Sequence, residues 1–203
     1  MKKTIALGLF LLILGGNALW AAARAPQDVV QDTSARMVDA LRKNRTALDR
    51  DPGRLYELVH QIVLPNFDFE LMSRWVLGRA WQQATPEQRR RFTEEFRTLL
   101  VRTYAKALLE YSDEEIRVLP QPAMADGNET TVRTEVKPKT GQPIPINYSM
   151  HLGNDVWRVY DVTVEGVSLV TNYRSTFASQ IRNNGLDALI ADLRQRNSTL
   201  GER

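Results

Sequence analysis

The spacing of apolar residues changes twice along this chain, and those changes constrain the fold more than any other feature. Before Tyr111, apolar residues recur every three or four positions, which is typical of amphipathic helices. From Glu115 to Glu165 they recur at every second position, which predicts strands with one apolar face. The helical period returns after Gly166. The pattern therefore predicts an α+β fold, with helices covering one face of an antiparallel sheet of about four strands.

Four helical segments precede the predicted strands. In the fourth, Thr85, Pro86 and Gln88 have the order of a helix N-terminus with a capping box. The apolar face of that helix consists of Phe92, Phe96, Leu99, Leu100, Tyr104, Leu108 and Tyr111. The third segment also has an apolar stripe, and Gly78 follows where that helix should end. The stripe consists of Leu71, Met72, Trp75 and Val76.

Even-numbered positions predict the inner face of the sheet, because their odd-numbered neighbours are mostly polar. After Glu165, we expect Gly166 to act as a hinge through which the strand enters a helix over about residues 167–183. Gly185 should separate this helix from a final one. The predicted inner face consists of Ile116, Val118, Val132, Thr134, Val136, Ile144, Ile146, Tyr148, Met150, Val156, Tyr160, Val162 and Val164.

The N-terminus has the features of a secretory signal peptide. Lys2 and Lys3 precede the apolar run IALGLFLLILGG, and three small residues end at Ala23. We expect residues 1–23 to be removed and residues 24–203 to form one exported, soluble domain. That domain should be mainly helical over 24–111, with strands in 115–165 and C-terminal helices in 167–196. The absence of cysteine excludes disulfides, thiol catalysis and a lipoprotein anchor.

Charge and motifs argue against several function classes. Without Lys2 and Lys3 the basic and acidic residues nearly balance, so nothing in the composition demands nucleic acid. No nucleophile-elbow, nucleotide-binding or metalloprotease pattern occurs, and neither His60 nor His151 has a motif neighbour. We therefore expect no catalytic residues, no metal and no cofactor.

Two charged groups allow a second interpretation. Asp161 and Glu165 lie four residues apart in a predicted strand, so a paired-carboxylate site is geometrically possible. Hydrogen bonding to arginine or to backbone near the hinge is the stronger interpretation of the pair. The run Arg89–Arg91 is typical of a solvated helix face, although contact with phosphate groups or with an acidic partner stays open.

Apolar periodicity alone does not distinguish a filled core from a cavity. Three functions therefore remain: a carrier with a cavity, an enzyme with polar groups converging in a pocket, and a scaffold with an exposed apolar patch.

Two long blocks of the sequence closely resemble the MlaC family, also called the toluene-tolerance Ttg2 family. They are VYDVTVEGVSLVTNYRSTF and LPNFDFELMSRWVLGRAWQQATPEQRRRFTEEFRTLLVRTYAKAL, and the resemblance extends from about Val29 to Leu193. These proteins are periplasmic phospholipid-binding proteins of Gram-negative bacteria. The resemblance implies a curved antiparallel sheet similar to the NTF2-like cone, beside a smaller helical subdomain. It also implies that the acyl chains of a glycerophospholipid lie between sheet and helices.

The same resemblance implies partners in both membranes. The expected partners are an inner-membrane ABC transporter with an MCE-domain subunit and an outer-membrane lipoprotein–porin complex. A carrier shuttling between them would maintain outer-membrane lipid asymmetry. We expect it to act as a monomer, with phospholipid as its ligand and no cofactor.

Candidate site residues follow from placing the periodic apolar faces where the family has its cavity. Arg74, Arg79 and Arg174 are candidates for contact with the headgroup or with a partner, because of their position and charge. The candidate lipid-binding residues are Trp75, Val76, Phe96, Leu99, Leu100, Tyr104, Val132, Ile146, Tyr148, Met150, Val162, Val164, Val167, Leu169, Val170, Tyr173 and Phe177.

Overall fold

The computed structural model describes residues 24–51, 53–110, 114–120 and 127–201, so the predicted signal peptide and Tyr111 lie outside the described residues. The helices are α1 (Pro26–Arg50), α2 (Gly53–Leu58), α3 (Phe69–Leu77), α4 (Arg79–Gln83), α5 (Pro86–Glu110) and α6 (Leu169–Gly201). The strands are β1 (Glu115–Val118), β2 (Glu129–Lys137), β3 (Ile144–Gly153), β4 (Val156–Val164) and β5 (Val167–Ser168). None of these helices combines the length and the apolar character needed to cross a membrane.

The helix boundaries follow local capping chemistry. At the start of α5, the Thr85 amide donates to Gln88 Oε1 at 3.0 Å, and the Gln88 amide donates to Thr85 Oγ1 at 3.2 Å. This reciprocal pair confirms the predicted capping box. Asp68 caps α3, since its Oδ1 accepts the Leu71 amide at 2.8 Å. Gly78 ends α3 with a positive φ of 53°, as expected for a glycine after a helix.

The sheet is an antiparallel meander in the order β1-β2-β3-β4-β5, which confirms the predicted α+β class. It has five strands rather than four, because a short hairpin follows β4. Glu165 and Gly166 both have positive φ, which suits a two-residue turn of type I′. Val167 then pairs with Val164. The predicted direct entry of the strand into a helix was therefore wrong.

The last helix differs from its predicted bounds but contains the predicted interruption. α6 begins at Leu169 rather than Val167, since Val167 and Ser168 form β5. It continues to Gly201, beyond the predicted end at residue 196. Within it, Gly185 has a non-helical backbone with φ 82° and ψ 170°, which confirms the predicted break. The two parts of α6 can therefore both pack against α5.

A β-bulge changes the phase of β4. Ser149 pairs with Asp161 and Met150 with Val159, so β4 has one residue more than β3 between these pairs. Trp157 and Val159 are consequently buried. Val156, which the even-numbered pattern placed on the inner face, is 46% exposed. That prediction was wrong because one inserted residue reverses which side chains face inward.

Asp161 connects the sheet to α6. Its Oδ1 accepts the Val170 amide at 3.0 Å, and its Oδ2 accepts the Ser168 hydroxyl at 2.6 Å. The Ser168 hydroxyl in turn accepts the Thr171 amide at 3.0 Å. Two of the amides that lack a partner inside the first turn of α6 are thereby satisfied, and a negative charge lies at the positive end of the helix.

We predict that Asp161→Ala lowers the free energy of unfolding by about 1–2 kcal/mol, because a capping group is lost. Asp161→Asn should lower it less, since the amide oxygen still accepts a hydrogen bond. Urea denaturation measures both changes. Asp32→Ala is the control: among the described residues, Asp32 pairs with the exposed side chains of Arg24 and Arg36, and such surface pairs contribute little. An unchanged urea midpoint for Asp161→Ala would contradict this role.

We predict that Glu165→Asn stabilises the protein by about 0.5–1 kcal/mol. Glu165 has a φ of 50°, which disfavours a side chain of this kind, whereas asparagine tolerates the left-handed region and Asn-Gly is the preferred pair for this turn. Glu165→Gln removes the same charge without the conformational benefit, so thermal unfolding should separate the two variants. Equal melting temperatures would show that the turn is not strained.

Candidate functional site

The buried apolar side chains of the described residues form three separate clusters. The helical cluster joins α3, α5 and both parts of α6. The sheet cluster joins the start of α1 to β2, β3 and β4. The N-terminal cluster joins α1, α2 and α5. Phe67 packs against both the helical cluster and the sheet cluster, so these two clusters meet just before α3.

Part of the inner face of the sheet is apolar but incompletely covered. Across the strands, Tyr148 pairs with Val162, and Ile146 pairs with Val164. All four side chains keep intermediate accessibility. We call these four residues the inner row. Their neighbour Val132 on β2, in contrast, is completely buried. The inner row is therefore an apolar stretch of the sheet that the described residues do not fully cover.

Tyr148 lies deep in the protein although its side chain remains partly accessible. Burial raises the pKa of its phenol, and a hydrogen bond with Thr134 opposes that shift. Thr134 is itself buried, and its hydroxyl donates to the Ile146 carbonyl oxygen at 2.8 Å. Tyr148 is therefore an inner-face side chain whose ring stays incompletely covered while its hydroxyl has a partner inside the protein.

The predicted residues from the helices mostly belong to the helical cluster. The ring of Phe96 lies edge-on to Tyr173 and to Phe177, with centroids 5.2 and 6.1 Å apart. Phe96 and Phe177 have almost no exposed surface, so these two rings are enclosed by other side chains. The predicted residues in this cluster are Val76, Phe96, Leu99, Leu100, Val170, Tyr173 and Phe177.

Tyr173 has a polar end as well as an apolar ring. Burial, followed by the nearby Tyr104, raises the pKa of its phenol strongly. Its hydroxyl hydrogen-bonds the hydroxyls of Tyr104 and Thr103. Tyr104 is 38% exposed, so this group of hydroxyls reaches the surface, as expected of tyrosines whose hydroxyls need a partner or water.

The remaining predicted residues divide between the sheet cluster and the surface. Val132 and Met150 are buried in the sheet cluster, and Tyr148 and Val162 pack against it. Leu169 keeps intermediate accessibility at the start of α6. Trp75 and Val167 are 47% and 57% exposed. The structure therefore brings together the sheet residues and, separately, the helix residues, while Trp75, Tyr104 and Val167 reach solvent.

The groups considered for catalysis are engaged elsewhere. His151 Nε2 lies 2.8 Å from Asp68 Oδ2, which joins β3 to the start of α3. Asp161 caps α6, and Glu165 is exposed in the β4–β5 turn. His60 is exposed on a π-helical turn that follows α2. Within the described ranges, no three side chains of the His, Cys, Asp or Glu type converge as a metal site.

Each arginine of the run Arg89–Arg91 has a partner within the protein. The Arg89 guanidinium lies 5.2 Å from the centroid of the Trp81 ring and donates to the Trp81 carbonyl oxygen at 2.9 Å. Arg90 pairs with Glu87 at 2.8 Å, and Arg91 lies 3.6 Å from Asp187. These contacts favour the structural interpretation of the run.

Sequence reasoning missed two contributions to the site. Thr134 was assigned to the inner face but not to the site, although it hydrogen-bonds Tyr148; a polar residue at an inner position was the available signal. The Asp68–His151 contact joins residues 83 positions apart, and nothing in the local sequence pattern relates them.

Comparison with known proteins places the chain in a family. The family model described as "MlaC protein" matches residues 31–195. The toluene tolerance protein ttg2D of Pseudomonas putida is 32% identical over 89% of this chain and 84% of its own length. The intermembrane phospholipid transport system binding protein MlaC of Haemophilus influenzae is 27% identical over 86% and 83%.

A solved structure has the same architecture. It is that of the phospholipid-binding protein from Ralstonia solanacearum in complex with a phospholipid. The two proteins superpose with a TM-score of 0.81 at 29% identity, over 88% of this chain and 99% of the other. Because the family model covers most of the sequence, and relatives match it over most of their own length, this chain belongs to the MlaC protein family.

Proposed function

We propose that this protein is a periplasmic carrier of glycerophospholipid that encloses the acyl chains beside the inner row of the sheet. The observation that carries the proposal is a row of apolar side chains, Ile146, Tyr148, Val162 and Val164, that is interior but incompletely covered. Apolar surface of this kind in a protein interior is the expected lining for a hydrocarbon ligand. The family and the phospholipid in the related structure support the identity of that ligand.

The opposite wall of the cavity is proposed to come from α5 and α6. Leu99, Leu100, Val170 and Tyr173 are the candidates, and Leu169 follows β5 directly as the first residue of α6. Phe96 and Phe177 would support the wall from behind, because both rings are already enclosed. The hydroxyls of Tyr173, Tyr104 and Thr103 would mark the polar end of the cavity, where the headgroup meets water.

Energetics explain why such a ligand must be enclosed. Each buried methylene is worth about 0.8 kcal/mol, so an acyl chain of sixteen carbons represents on the order of 10 kcal/mol. Free diffusion of such a lipid through water is therefore negligible. The same magnitude makes unaided release slow. We propose that handover takes place at an inner-membrane ABC transporter with an MCE-domain subunit and at an outer-membrane lipoprotein–porin complex.

No observation favours the enzyme alternative. His151, Asp161 and Glu165 were the groups whose convergence in one pocket it required. His151 contacts Asp68, Asp161 caps α6, and Glu165 is exposed in a turn. The proposed function is binding and transport without a cofactor.

Native mass spectrometry of protein purified without detergent tests ligand binding directly. We expect a mass excess equal to one or two diacyl glycerophospholipids, and lipid extraction should recover them. A bare polypeptide mass with no extractable lipid would refute the carrier function.

The position of the cavity is tested by a matched pair of variants on β4. Val162→Glu places a carboxylate in the inner row, where desolvation opposes ionisation and a hydrocarbon chain offers no hydrogen bond. Val156→Glu adds the same group at a position that is already 46% exposed. We expect the first variant to be purified without lipid and the second to retain it.

A further variant separates loss of ligand from loss of folding. Val162→Trp adds volume but no charge, so it should occupy the cavity while the protein remains folded by circular dichroism. Wild-type lipid content in folded Val162→Glu and Val162→Trp would place the ligand elsewhere.

Slow release gives a kinetic prediction. Exchange of fluorescent phospholipid between the loaded protein and vesicles should be slow, because the acyl chains must leave the cavity before they reach the bilayer. Vesicles that contain the purified transporter complex should accelerate exchange by at least tenfold. Equal rates with and without the complex would contradict partner-dependent handover.

A further inference from the structure

Three arginines and a tryptophan form a surface around Gly78. Arg74 and Trp75 lie in the last turn of α3, Arg79 begins α4, and Arg174 comes from the first part of α6. All three arginines are exposed, and Trp75 is 47% exposed. We call these four residues the arginine surface.

Gly78 allows the two helices to bring these side chains together. A Cβ atom at this position would lie 3.3 Å from Arg174 Nη2 and 3.5 Å from its Cζ. The guanidinium of Arg174 therefore rests directly over the backbone of Gly78. Arg74 is four residues before Gly78 and Trp75 is three, so both lie within about one helical turn of this point. Arg74, Trp75 and Arg79 are therefore close to Gly78 along α3 and α4, and the guanidinium of Arg174 lies over the same glycine.

Acidic residues are scarce in the sequence segments that carry the arginine surface. Residues 71–86 and 166–186 contain four arginines and no aspartate or glutamate, although the chain has 24 acidic residues. Glu70 precedes Arg74 by one turn of α3, but within the described residues neither Arg74, Arg79 nor Arg174 has a carboxylate at ion-pair distance. Arginines elsewhere do pair, as Arg90 with Glu87 and Arg196 with Asp192.

Local stability explains only one of these positions. Arg74 lies in the last turn of α3, where a positive charge interacts favourably with the helix dipole. Arg79 is the first residue of α4, where a positive charge is mildly unfavourable. Arg174 lies beyond the first turn of α6 and gains nothing from the dipole. Three exposed guanidinium groups that have no carboxylate partner among the described residues, together with the exposed indole of Trp75, therefore favour an anionic ligand.

We propose that the arginine surface docks on a bilayer that contains anionic phospholipid. Guanidinium groups bind phosphate in a bidentate manner, and tryptophan prefers the boundary between headgroups and acyl chains. A fluid bilayer supplies both partners without requiring a shaped groove. The surface also lies on α3 and α6, which contribute to the helical cluster beside the proposed cavity, so docking would bring cargo near the membrane.

This inference goes beyond the carrier function, because it concerns the membrane surface that the carrier binds. Binding to vesicles is measurable for protein with or without cargo, so its failure leaves the carrier function intact. Lipid content is determined in the same preparations, which keeps the two outcomes distinguishable.

Vesicle sedimentation tests the proposal with a matched pair of triple variants. Lipid-loaded protein is mixed with vesicles of phosphatidylglycerol and phosphatidylcholine, or of phosphatidylcholine alone, at low salt and at 0.5 M NaCl. The test variant is R74Q/R79Q/R174Q. The control is R36Q/R54Q/R194Q, which removes the same charge from exposed arginines outside the arginine surface.

We expect the wild type and the control to bind the anionic vesicles at low salt. Both should bind weakly to neutral vesicles, and weakly to anionic vesicles at 0.5 M NaCl. One arginine near an anionic surface changes affinity by about fivefold. The affinity of the test variant for anionic vesicles should therefore fall on the order of 100-fold. Its lipid content and its circular dichroism should stay unchanged. Equal losses of affinity in the test and control variants would show that binding depends on net charge alone, which would overturn the proposal.

Quenching by brominated acyl chains tests the depth of Trp75. Trp81 and Trp157 are 8% and 4% exposed, so we expect quenching in the wild type and its loss in Trp75→Phe. Wild-type protein that does not bind anionic vesicles would overturn the proposal. If R74Q/R79Q/R174Q binds vesicles normally but fails to deliver lipid to a membrane complex, the arginine surface recognises an acidic protein and the bilayer assignment is wrong.

Discussion

The attachment of α6 to β4 through Asp161 is the constraint on which the arrangement of sheet and helices depends. One carboxylate accepts the Val170 amide and the Ser168 hydroxyl, so the helix begins at a fixed position relative to the end of the strand. A second polar contact joins the layers at Asp68, whose carboxylate contacts His151 and whose amide donates to the Val159 carbonyl oxygen at 2.8 Å. Both contacts lie at the N-terminus of a helix, α6 in one case and α3 in the other.

This mode of attachment is compatible with the proposed cavity. If the helices were held to the sheet by apolar packing alone, the hydrophobic effect would favour closing any gap between them. Directional hydrogen bonds at the start of α3 and of α6 hold the layers in place while the inner row stays incompletely covered. An unfilled apolar cavity is destabilising, and a bound acyl chain would restore the missing contacts. A ligand in the proposed cavity would therefore also stabilise the protein that carries it.

Different parts of the same helices serve different surfaces. On α3, Val76 is buried in the helical cluster while Arg74 and Trp75 face outward beside Gly78. On α6, Phe177 faces inward and Arg174 covers the glycine. Periodicity assigned Trp75 to the apolar stripe of α3, but its side chain faces solvent. The buried residues of that helix are Met72, Ser73, Val76 and Leu77.

Local chemistry was readable from the sequence alone. The capping box at Thr85, the strand alternation around Tyr148 and the break at Gly185 each depend on residues that are near neighbours in the chain. Whole-length resemblance supplied the family. Tertiary structure decided the rest: a single inserted residue in β4 reversed the phase at Val156, and contacts such as Asp68–His151 join distant segments. Periodicity shows which side of a helix or strand is apolar. Whether two apolar surfaces meet depends on the distance between the elements, and contacts between distant segments set that distance.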